Sequence, residues 1–265
     1  MSEVRDLVLF RTEDGIVVPA VTAEQMREVD RIAVEEFGLG ILQMMENAGR
    51  NLALNVMDML DSARACPEPC PEQGRRGSRR GEVTVLAGAG GNGGGGLCCA
   101  RHLHNRGFKV WVVLDRDSRM LRGAAANQLN ILQAAGVQAV DPSQAEGVIH
   151  RSQIVVDALI GYSLRGAPQG KAAELIDLCN QHAARVLSLD VPSGLDATTG
   201  ATPGLVVRPE RTLTLALPKT GLTDVEGELY LADIGIPPEV YHRLGLSFEP
   251  FLGKCYWIRL EQSNH

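Results

Sequence analysis

The chain reads Val83-Thr84-Val85-Leu86, then, after Ala87, Gly88-Ala89-Gly90-Gly91-Asn92-Gly93-Gly94-Gly95-Gly96, and then Leu97-Cys98-Cys99-Ala100-Arg101-His102-Leu103. This pattern predicts a strand over 83–86, a loop at the glycines and a helix over 97–105. Glycine backbone can take positive φ and approach a ligand closely, and N–H groups at a helix N-terminus attract an anion. The stretch therefore predicts a phosphate-binding loop. Gly88, Gly90 and Gly93 fit the pattern G-x-G-x-x-G, but so glycine-rich a tract fits many patterns by chance, and a flexible loop is the alternative.

Helical and strand patterns alternate along the rest of the chain. A capping box at Thr22 and Gln25 opens one predicted helix, and apolar residues from Leu42 to Leu60 predict a second, so two helices are expected before the first strand. Further strands are predicted over 110–114, 154–159, 186–189, 213–217 and 229–234, with helices over 124–135 and 172–182. Parallel strands need crossover helices, which cover the faces of the sheet. The order therefore predicts an α/β fold with a mainly parallel central sheet.

The length and the charge of the chain restrict the classes of protein to which it can belong. The 265 residues are 45% hydrophobic, enough for one large core, and contain no internal repeat or long linker, so we expect a single domain over 1–265. The formal charge of −6 argues against nucleic acid as a partner, because binding to a phosphate backbone needs a basic face. The first residues, Met1-Ser2-Glu3-Val4-Arg5-Asp6, lack the apolar core of a signal peptide or membrane span. We expect a cytoplasmic protein with no membrane partner.

One segment departs from the alternating pattern. Residues 62–81 are rich in Pro, Gly and Arg, and we predict a flexible, solvated insertion, with a basic contact site as the alternative. Cys66 and Cys70 within it have the spacing of two metal ligands, but no second Cys or His pair is placed to complete a tetrahedral site. We therefore expect no metal there. Cys98 and Cys99 are expected to be buried thiols.

Two aspartates end apolar strands of the predicted sheet. Asp157 follows Ile154-Val155-Val156, and Asp190 follows Val186-Leu187-Ser188-Leu189. The carboxyl ends of parallel strands meet at one edge of the sheet, so both side chains are expected near the glycine tract, in one site. Capping of the following turn is the alternative for either residue alone. After Asp190, Pro192-Ser193-Gly194 predicts a stiff, sharp corner.

Several motifs occur in a fixed order over residues 21–236. They are Met44-Met45-Glu46-Asn47-Ala48-Gly49, the glycine tract with Ala100-Arg101-His102-Leu103 behind it, Val156-Asp157-Ala158-Leu159-Ile160-Gly161, Asp190-Val191-Pro192-Ser193-Gly194-Leu195-Asp196 and Thr214-Leu215-Ala216-Leu217-Pro218-Lys219-Thr220-Gly221. In these motifs the chain resembles the NAD(P)H-hydrate epimerases, also called YjeF N-terminal domains. The resemblance implies a Rossmann-like three-layer αβα sandwich. It also implies an isomerase of cofactor repair, which interconverts the R and S hydrates of NADH and NADPH, hydroxylated at C6 of the nicotinamide ring.

The resemblance also implies partners and site residues. A separate ADP- or ATP-dependent dehydratase would consume the S hydrate, and the relatives suggest a homodimer. A potassium ion would be held by Asn92, Asp157 and Ser193, whose amide, carboxylate and hydroxyl oxygens are hard ligands suited to a hard cation. The hydrate itself would contact Gly91, Asn92, Gly93, Gly94, Gly95, Gly161, Tyr162, Ser163, Leu164, Arg165, Gly166, Ala167 and Asp190. With Asp157 on the ion, Asp190 is the expected catalytic acid and base.

The chain departs from the family at the glycine tract. The family loop reads Asn-Asn-Gly-Gly-Asp-Gly, where this chain has Gly91 for the first Asn and Gly95 for the Asp. A catalytically degenerate nucleotide-binding or scaffold module on the same fold is therefore one alternative. An NAD-dependent dehydrogenase is another, favoured by G-x-G-x-x-G and by Asp115 at the end of the next strand, where a ribose-binding acid often lies. Lys219 is either a charge at the rim of the site or an exposed loop lysine.

Overall fold

The central sheet of the computed structural model, which describes residues 9–62 and 80–262, has nine strands. They are β1 (Leu9–Thr12), β2 (Val17–Pro19), β3 (Arg80–Ala87), β4 (Phe108–Leu114), β5 (Ile154–Ala158), β6 (Val186–Leu189), β7 (Arg211–Leu215), β8 (Glu228–Ala232) and β9 (Trp257–Gln262). Their order across the sheet is β2-β1-β9-β8-β7-β6-β5-β3-β4. β3 to β8 pair in parallel, whereas β9, β1 and β2 pair antiparallel. The mainly parallel sheet predicted from the sequence is confirmed.

Helices cover both faces of this sheet. They are α1 (Ala23–Arg31), α2 (Ile41–Ser62), α3 (Gly91–His104), α4 (Gly123–Ala134), α5 (Ala145–Arg151), α6 (Gly170–His182) and α7 (Pro238–His242). α2, α3 and α4 share one core cluster with Val83, Val85 and Ala87 of β3. Leu86 of the same strand packs instead with α5 and α6. Successive residues of β3 thus face opposite layers, as the strand period of two requires, and the predicted three-layer sandwich is confirmed.

The element bounds agree well with the sequence patterns in the parallel core. The strands predicted from 110 onwards correspond to β4 to β8 with bounds within two residues, and the predicted helices over 124–135 and 172–182 correspond to α4 and α6. α5, α7 and β9 have no counterpart in the sequence prediction. Of the insertion predicted over 62–81, residues 63–79, with Cys66 and Cys70, lie outside the described ranges. Its predicted ends are wrong, because Ser62 belongs to α2 and Arg80 and Gly81 belong to β3. No helix within those ranges is long and apolar enough to cross a bilayer.

The prediction that two helices precede the first strand is wrong. α1 and α2 are present, and the capping box is confirmed: the Gln25 N–H donates to Thr22 Oγ1 at 3.2 Å, and the Thr22 N–H donates to Gln25 Oε1 at 2.8 Å. Ahead of them, however, β1 and β2 form a hairpin that buries Phe10 and Val18. These strands have 4 and 3 residues, too few for an alternating pattern to stand out. The other partner of β1 is β9, at the opposite end of the described chain.

The prediction of a loop at the glycines followed by a helix from residue 97 is also wrong. α3 begins at Gly91, so most of the tract is helical, and no glycine from 88 to 96 has positive φ. Each glycine within a helix lowers stability by about 1 kcal/mol relative to alanine, so another free-energy term must favour glycine at these positions. Close packing supplies that term: a Cβ atom at Gly93 would lie 1.7 Å from the Gly88 carbonyl oxygen, and one at Gly94 would lie 2.4 Å from Met45 Cε. The flexible-loop alternative fails for the same reason.

Candidate active site

A cavity of about 910 Å³ opens at the carboxyl ends of the central strands. From β3 the sheet continues to β4 on one side and to β5 on the other, and open α/β sheets bind ligands at such a switch point. Apolar side chains of α1 and α2, among them Met26, Met44 and Met45, line part of the cavity. The cavity therefore lies at the edge of the sheet where the sequence predicts the site.

The N-terminus of α3 contributes to the wall of this cavity. The first hydrogen bond of the helix joins the Gly94 N–H to the Gly90 carbonyl at 3.0 Å, which leaves the N–H groups of Gly91, Asn92 and Gly93 without a partner in the helix. Cβ atoms at Gly90 and Gly91 would meet nothing within 4 Å, so this end of the helix is open. Free N–H groups and the positive end of the helix dipole suit an anionic group.

Asp190 and Lys219 form a buried ion pair that lines the same cavity. Asp190 directly follows β6, and Lys219 follows β7. Lys219 Nζ donates to Asp190 Oδ1 and, at 2.8 Å, to the Leu215 carbonyl. Asp190 has a φ of 69°, a left-handed conformation that costs energy in a residue other than glycine. Strained backbone beside a cavity is typical of a functional site.

Tyr162 connects this pair to a second carboxylate. Its backbone N–H donates to Asp190 Oδ2 at 3.1 Å, and its hydroxyl donates to Asp30 Oδ2 at 2.6 Å. Burial raises the pKa of Asp30 above its usual value, against the opposing effects of the Tyr162 hydrogen bond and the Lys219 charge. Burial and the nearby Asp30 charge also raise the pKa of Tyr162. Hydrogen bonds therefore link Lys219, Asp190, Tyr162 and Asp30 along the cavity.

Asp157, near the end of β5, forms a separate polar cluster and is fully buried. Its carboxylate accepts hydrogen bonds from Ser193 Oγ at 2.6 Å, from the Ser193 N–H at 2.9 Å and from Ser188 Oγ at 2.8 Å. Ser193 Oγ in turn accepts from the Ile160 N–H at 2.8 Å. Burial raises the pKa of Asp157. Within residues 9–62 and 80–262 no lysine or arginine pairs with this carboxylate, so hydrogen-bond donors alone offset its charge.

Asn92 reaches the loop that follows β5. A Cβ atom at Gly161 would lie 3.2 Å from Asn92 Oδ1 and 3.2 Å from Asp190 Oδ2. The Asn92 Nδ2 group is buried without a hydrogen-bond partner, which is costly unless a ligand or water satisfies it. The Nδ2 group calls for an acceptor, whereas the Oδ1 atom of Asn92, the Asp157 carboxylate and the Ser193 hydroxyl are the kinds of oxygen that hard cations take.

The structure places most of the predicted substrate contacts along the cavity. Gly91, Asn92, Gly95, Gly161, Tyr162, Ser163, Leu164, Arg165, Ala167 and Asp190 line it. Gly93, Gly94 and Gly166 do not line it, and the first two are packed against Gly88 and Met45 instead. Of the three predicted metal ligands, Asn92 lines the cavity, whereas Asp157 and Ser193 are buried and hydrogen-bonded to each other.

Sequence reasoning left the position of Lys219 open and missed Asp30. Lys219 is neither a rim charge nor an exposed loop lysine, because its side chain is 1% exposed and contacts Asp190. It comes shortly after β7, as the two aspartates come at the ends of their strands, and this repeated placement is the signal that could have found it. Asp30 gave a weaker signal: it lies four residues after the buried Met26 of α1, so a carboxylate falls near the buried face of the helix.

Comparisons with known proteins agree with this architecture. The sequence model of a family described as YjeF-related protein N-terminus matches residues 41–221. The chain is 50% identical over 258 residues to an NAD(P)H-hydrate epimerase of Dehalogenimonas lykanthroporepellens, covering 96% of this chain and 98% of that protein. It is 37% identical over 227 residues to a bifunctional NAD(P)H-hydrate repair enzyme Nnr of Hyperthermus butylicus, covering 83% of this chain and 39% of that protein. The crystal structure of yeast ynu0, YNL200c, has the same fold, with a TM-score of 0.75 and 22% identity over 91% of this chain and 99% of that one.

Proposed function

The chain belongs to the YjeF-related N-terminal family, and on that premise we propose that it is an NAD(P)H-hydrate epimerase, which interconverts the R and S hydrates of NADH and NADPH. The observation that carries this proposal is the buried pair of Asp190 and Lys219, which lines one cavity together with the open N-terminus of α3. The pair supplies an acid and a base for the ring, and the helix N-terminus suits the pyrophosphate of a dinucleotide.

The reaction breaks and re-forms one C–O bond. In the hydrate a hydroxyl group is bonded to C6, next to the ring nitrogen N1. The lone pair of N1 expels this hydroxyl as water once it takes up a proton, which leaves an iminium ion between N1 and C6. Water then adds to the opposite face of C6 and loses a proton, giving the other epimer. The reaction transfers no electrons to an acceptor, so it needs only a proton donor and a proton acceptor.

Lys219 and Asp190 meet that need. The Lys219 ammonium donates a proton to the leaving hydroxyl, and the Asp190 carboxylate accepts a proton from the water that returns. The hydrogen bond between Lys219 Nζ and Asp190 Oδ1 then carries the proton back to the lysine, so the pair ends each turnover as it began. The Tyr162 N–H holds the other carboxylate oxygen at 3.1 Å. Asp190 thus keeps the acid and base role expected from the sequence and shares it with Lys219.

The rest of the cavity binds and shields the substrate. Its lining carries six cationic side chains, Arg27, Arg31, Arg116, Arg122, Arg165 and Lys219, and four anionic ones, Asp30, Glu35, Asp115 and Asp190. This excess of positive charge suits the two phosphate groups of a dinucleotide. The methionines of α1 and α2 limit the access of bulk water to the iminium ion.

A potassium ion at Asn92, Asp157 and Ser193 is part of the proposal. The donor set supports it, because among the described residues only hydrogen-bond donors offset the charge of the fully buried Asp157 carboxylate, Ser193 beside it offers a hydroxyl oxygen, and Asn92 offers an amide oxygen next to the loop that follows β5. When bound, the ion would offset the Asp157 charge and tie the loops after β5 and β6 to the start of α3. It supplies no proton and no electron, so the acid and base steps stay with Asp190 and Lys219.

The two alternative functions explain fewer features of the site. A degenerate binding module rests on Gly91 and Gly95, but neither departure removes Asp190 or Lys219. A Cβ atom at Gly95 would lie 2.8 Å from Leu189 Cδ2, so a glycine fits the crowded wall of the cavity. An NAD-dependent dehydrogenase rests on the G-x-G-x-x-G match and on Asp115, and it does not account for the polar set of Asn92, Asp157 and Ser193.

The proposal also includes the partners of the protein and its location in the cell. The S hydrate would pass to a separate ADP- or ATP-dependent dehydratase, which agrees with relatives named bifunctional repair enzymes. We expect a homodimer, as the family resemblance implies. A cytoplasmic location is supported by the free, buried thiols of Cys98, Cys99 and Cys179, which are typical of a reducing compartment.

Separated R and S hydrates of NADH and of NADPH, each mixed with purified protein, test the function. Chromatography should show each epimer converting to the equilibrium mixture faster than the spontaneous rate, with no oxidised or further reduced product. Saturable binding of a hydrate without faster interconversion would instead establish a binding module. Hydride transfer in a screen of alcohols, acids and aldehydes would establish a dehydrogenase.

A further inference from the structure

Asp115 and Arg116 form an ion pair at the end of β4, away from the Asp190 and Lys219 pair. The Asp115 N–H donates to the Ala87 carbonyl at 3.1 Å, directly before the glycine tract. The Asp115 carboxylate is 6% exposed and accepts two hydrogen bonds of 2.8 Å from the Arg116 guanidinium. Both residues line the cavity, as does Arg122. The function proposed above counts these charges only in the overall charge of the cavity and assigns none of them a contact with the substrate.

Strand order sets the distance between the two charged pairs. β5 and β3 lie between β6 and β4, so the ends of β6 and β4 are three strand spacings apart, about 14 Å. The N-terminus of α3, which follows β3, lies between them. A dinucleotide with its nicotinamide ring at Asp190 and its pyrophosphate at α3 therefore places its second ribose at the end of β4. In nucleotide-binding sheets the acidic residue after the corresponding strand bonds this ribose.

We propose that the Asp115 and Arg116 pair contacts the 2′ position of the adenosine ribose and lets one site accept the hydrates of both NADH and NADPH. The proposal rests on the epimerase function. A 2′-hydroxyl donates to the Asp115 carboxylate. A 2′-phosphate would be repelled by an isolated carboxylate, but here it accepts hydrogen bonds from the guanidinium groups of Arg116 and Arg122. The Arg116 side chain is 43% exposed, so it can turn from Asp115 to the phosphate without disturbing the core.

The chain provides a matched control for this pair. Asp117 and Arg119 form the same kind of contact, with Arg119 Nε 2.9 Å from Asp117 Oδ1, but neither residue lines the cavity. The Arg119 side chain is 87% exposed. Substitutions in the second pair therefore change the same charges on the same loop without touching the proposed ribose site.

Kinetics with both hydrates test the assignment. Arg116→Gln should lower kcat/KM for the NADPH hydrate at least about tenfold more than for the NADH hydrate, because it removes a charge-assisted hydrogen bond to the phosphate. Asp115→Asn should shift the same ratio toward the NADPH hydrate. Arg119→Gln and Asp117→Asn should leave the ratio unchanged. Equal losses for both hydrates in the first two variants, or the same shift in the control variants, would overturn the assignment.

Calorimetry with adenosine fragments separates this proposal from the epimerase function. The wild type should bind adenosine 2′,5′-bisphosphate, and Arg116→Gln should weaken that binding at least about tenfold while changing the binding of 5′-AMP little. This outcome is expected even if the hydrates are not turned over. If the hydrates epimerise but the bisphosphate binds both proteins equally, the ribose contact is wrong and the epimerase function stands.

Discussion

The Asp190 carboxylate is fixed from two sides and by its own backbone. Lys219 holds Oδ1, the Tyr162 N–H holds Oδ2, and the φ of 69° directs the side chain out of β6 into the cavity wall. Aspartate and asparagine tolerate the left-handed region better than most residues, so asparagine can replace Asp190 without new backbone strain. The same substitution leaves the buried Lys219 ammonium without a countercharge, with the Leu215 carbonyl as a remaining hydrogen-bond acceptor. Activity and stability must therefore be measured together.

Asp190→Asn should slow epimerisation about 10² to 10⁴-fold, the usual contribution of a positioned acid or base. It should also lower the free energy of unfolding by about 3–5 kcal/mol, because it leaves an uncompensated buried charge. The double variant Asp190→Asn with Lys219→Met should recover part of that stability but none of the activity. Chromatographic rates and denaturant unfolding measure the two effects. A rate near that of the wild type in the single variant would remove Asp190 from the mechanism.

The buried Asp30 makes the free energy of unfolding depend on pH, and the direction is opposite to that expected for a surface carboxylate in an ion pair. Its pKa is raised by burial, so the folded state binds the proton more tightly than the unfolded state. Stability should therefore fall as the pH rises from the usual carboxyl pKa to the raised one, and then level off. Asp30→Asn removes this penalty and can still accept the Tyr162 hydrogen bond.

We expect Asp30→Asn to melt at a higher temperature than the wild type near neutral pH, with the difference shrinking as the pH falls below the usual carboxyl pKa. Melting curves between pH 3 and pH 8, a range that extends below the usual aspartate pKa of 3.8, measure this. If the wild type is the more stable protein at neutral pH, or if the difference does not change with pH, the Asp30 charge does not oppose folding.

At the scale of elements, α3 marks the limit of what the sequence could predict. The order of strand, glycines and helix was enough to predict a parallel sheet and an anion-binding helix start. Nevertheless, five of the six residues from Gly91 to Gly96 are glycine, and the low helix propensity of glycine predicts a loop there. Glycine is favoured there because Cβ atoms at Gly93, Gly94, Gly95 and Gly96 would lie 2.8 Å or less from the Gly88 carbonyl oxygen, Met45, Leu189 and Ala158, respectively, a requirement of tertiary packing that is invisible in the local sequence.

Two alanine substitutions in α3 test this explanation. Gly93→Ala should destabilise the protein by about 3 kcal/mol or more, because its Cβ atom would lie 1.7 Å from the Gly88 carbonyl oxygen and backbone would have to move. Gly91→Ala should be neutral or stabilise by up to about 1 kcal/mol, because nothing lies within 4 Å of its Cβ position and alanine favours helix. Denaturant unfolding measures both. Equal effects would mean that the glycines serve flexibility and not packing.

At the scale of the whole molecule, the part of the site that was predictable comes from the parallel core. Asp157 lies near the end of β5 and Asp190 directly after β6, and the rules of parallel sheets place strand ends together. Lys219 depends on contacts distant in sequence: Val21 pairs with it in a β-bridge, and the Thr220 N–H donates to the Val21 carbonyl at 3.0 Å. The segment that ends the N-terminal hairpin thus helps to hold the lysine in place. No pattern in the sequence around Lys219 predicts its contact with Val21.

Potassium should stabilise the fold as a whole if Asn92, Asp157 and Ser193 bind it, because these residues come from α3, β5 and the loop after β6. An ion that binds only the folded state adds about 2.7 kcal/mol when its concentration is a hundred times its dissociation constant. Melting temperatures should therefore be higher in potassium chloride than in tetramethylammonium chloride at equal ionic strength, and should rise with potassium until the site is full. Asp157→Asn, compared with itself in the two salts, should lose most of the difference. Identical wild-type curves, or an undiminished difference in the variant, would place the ion elsewhere or nowhere.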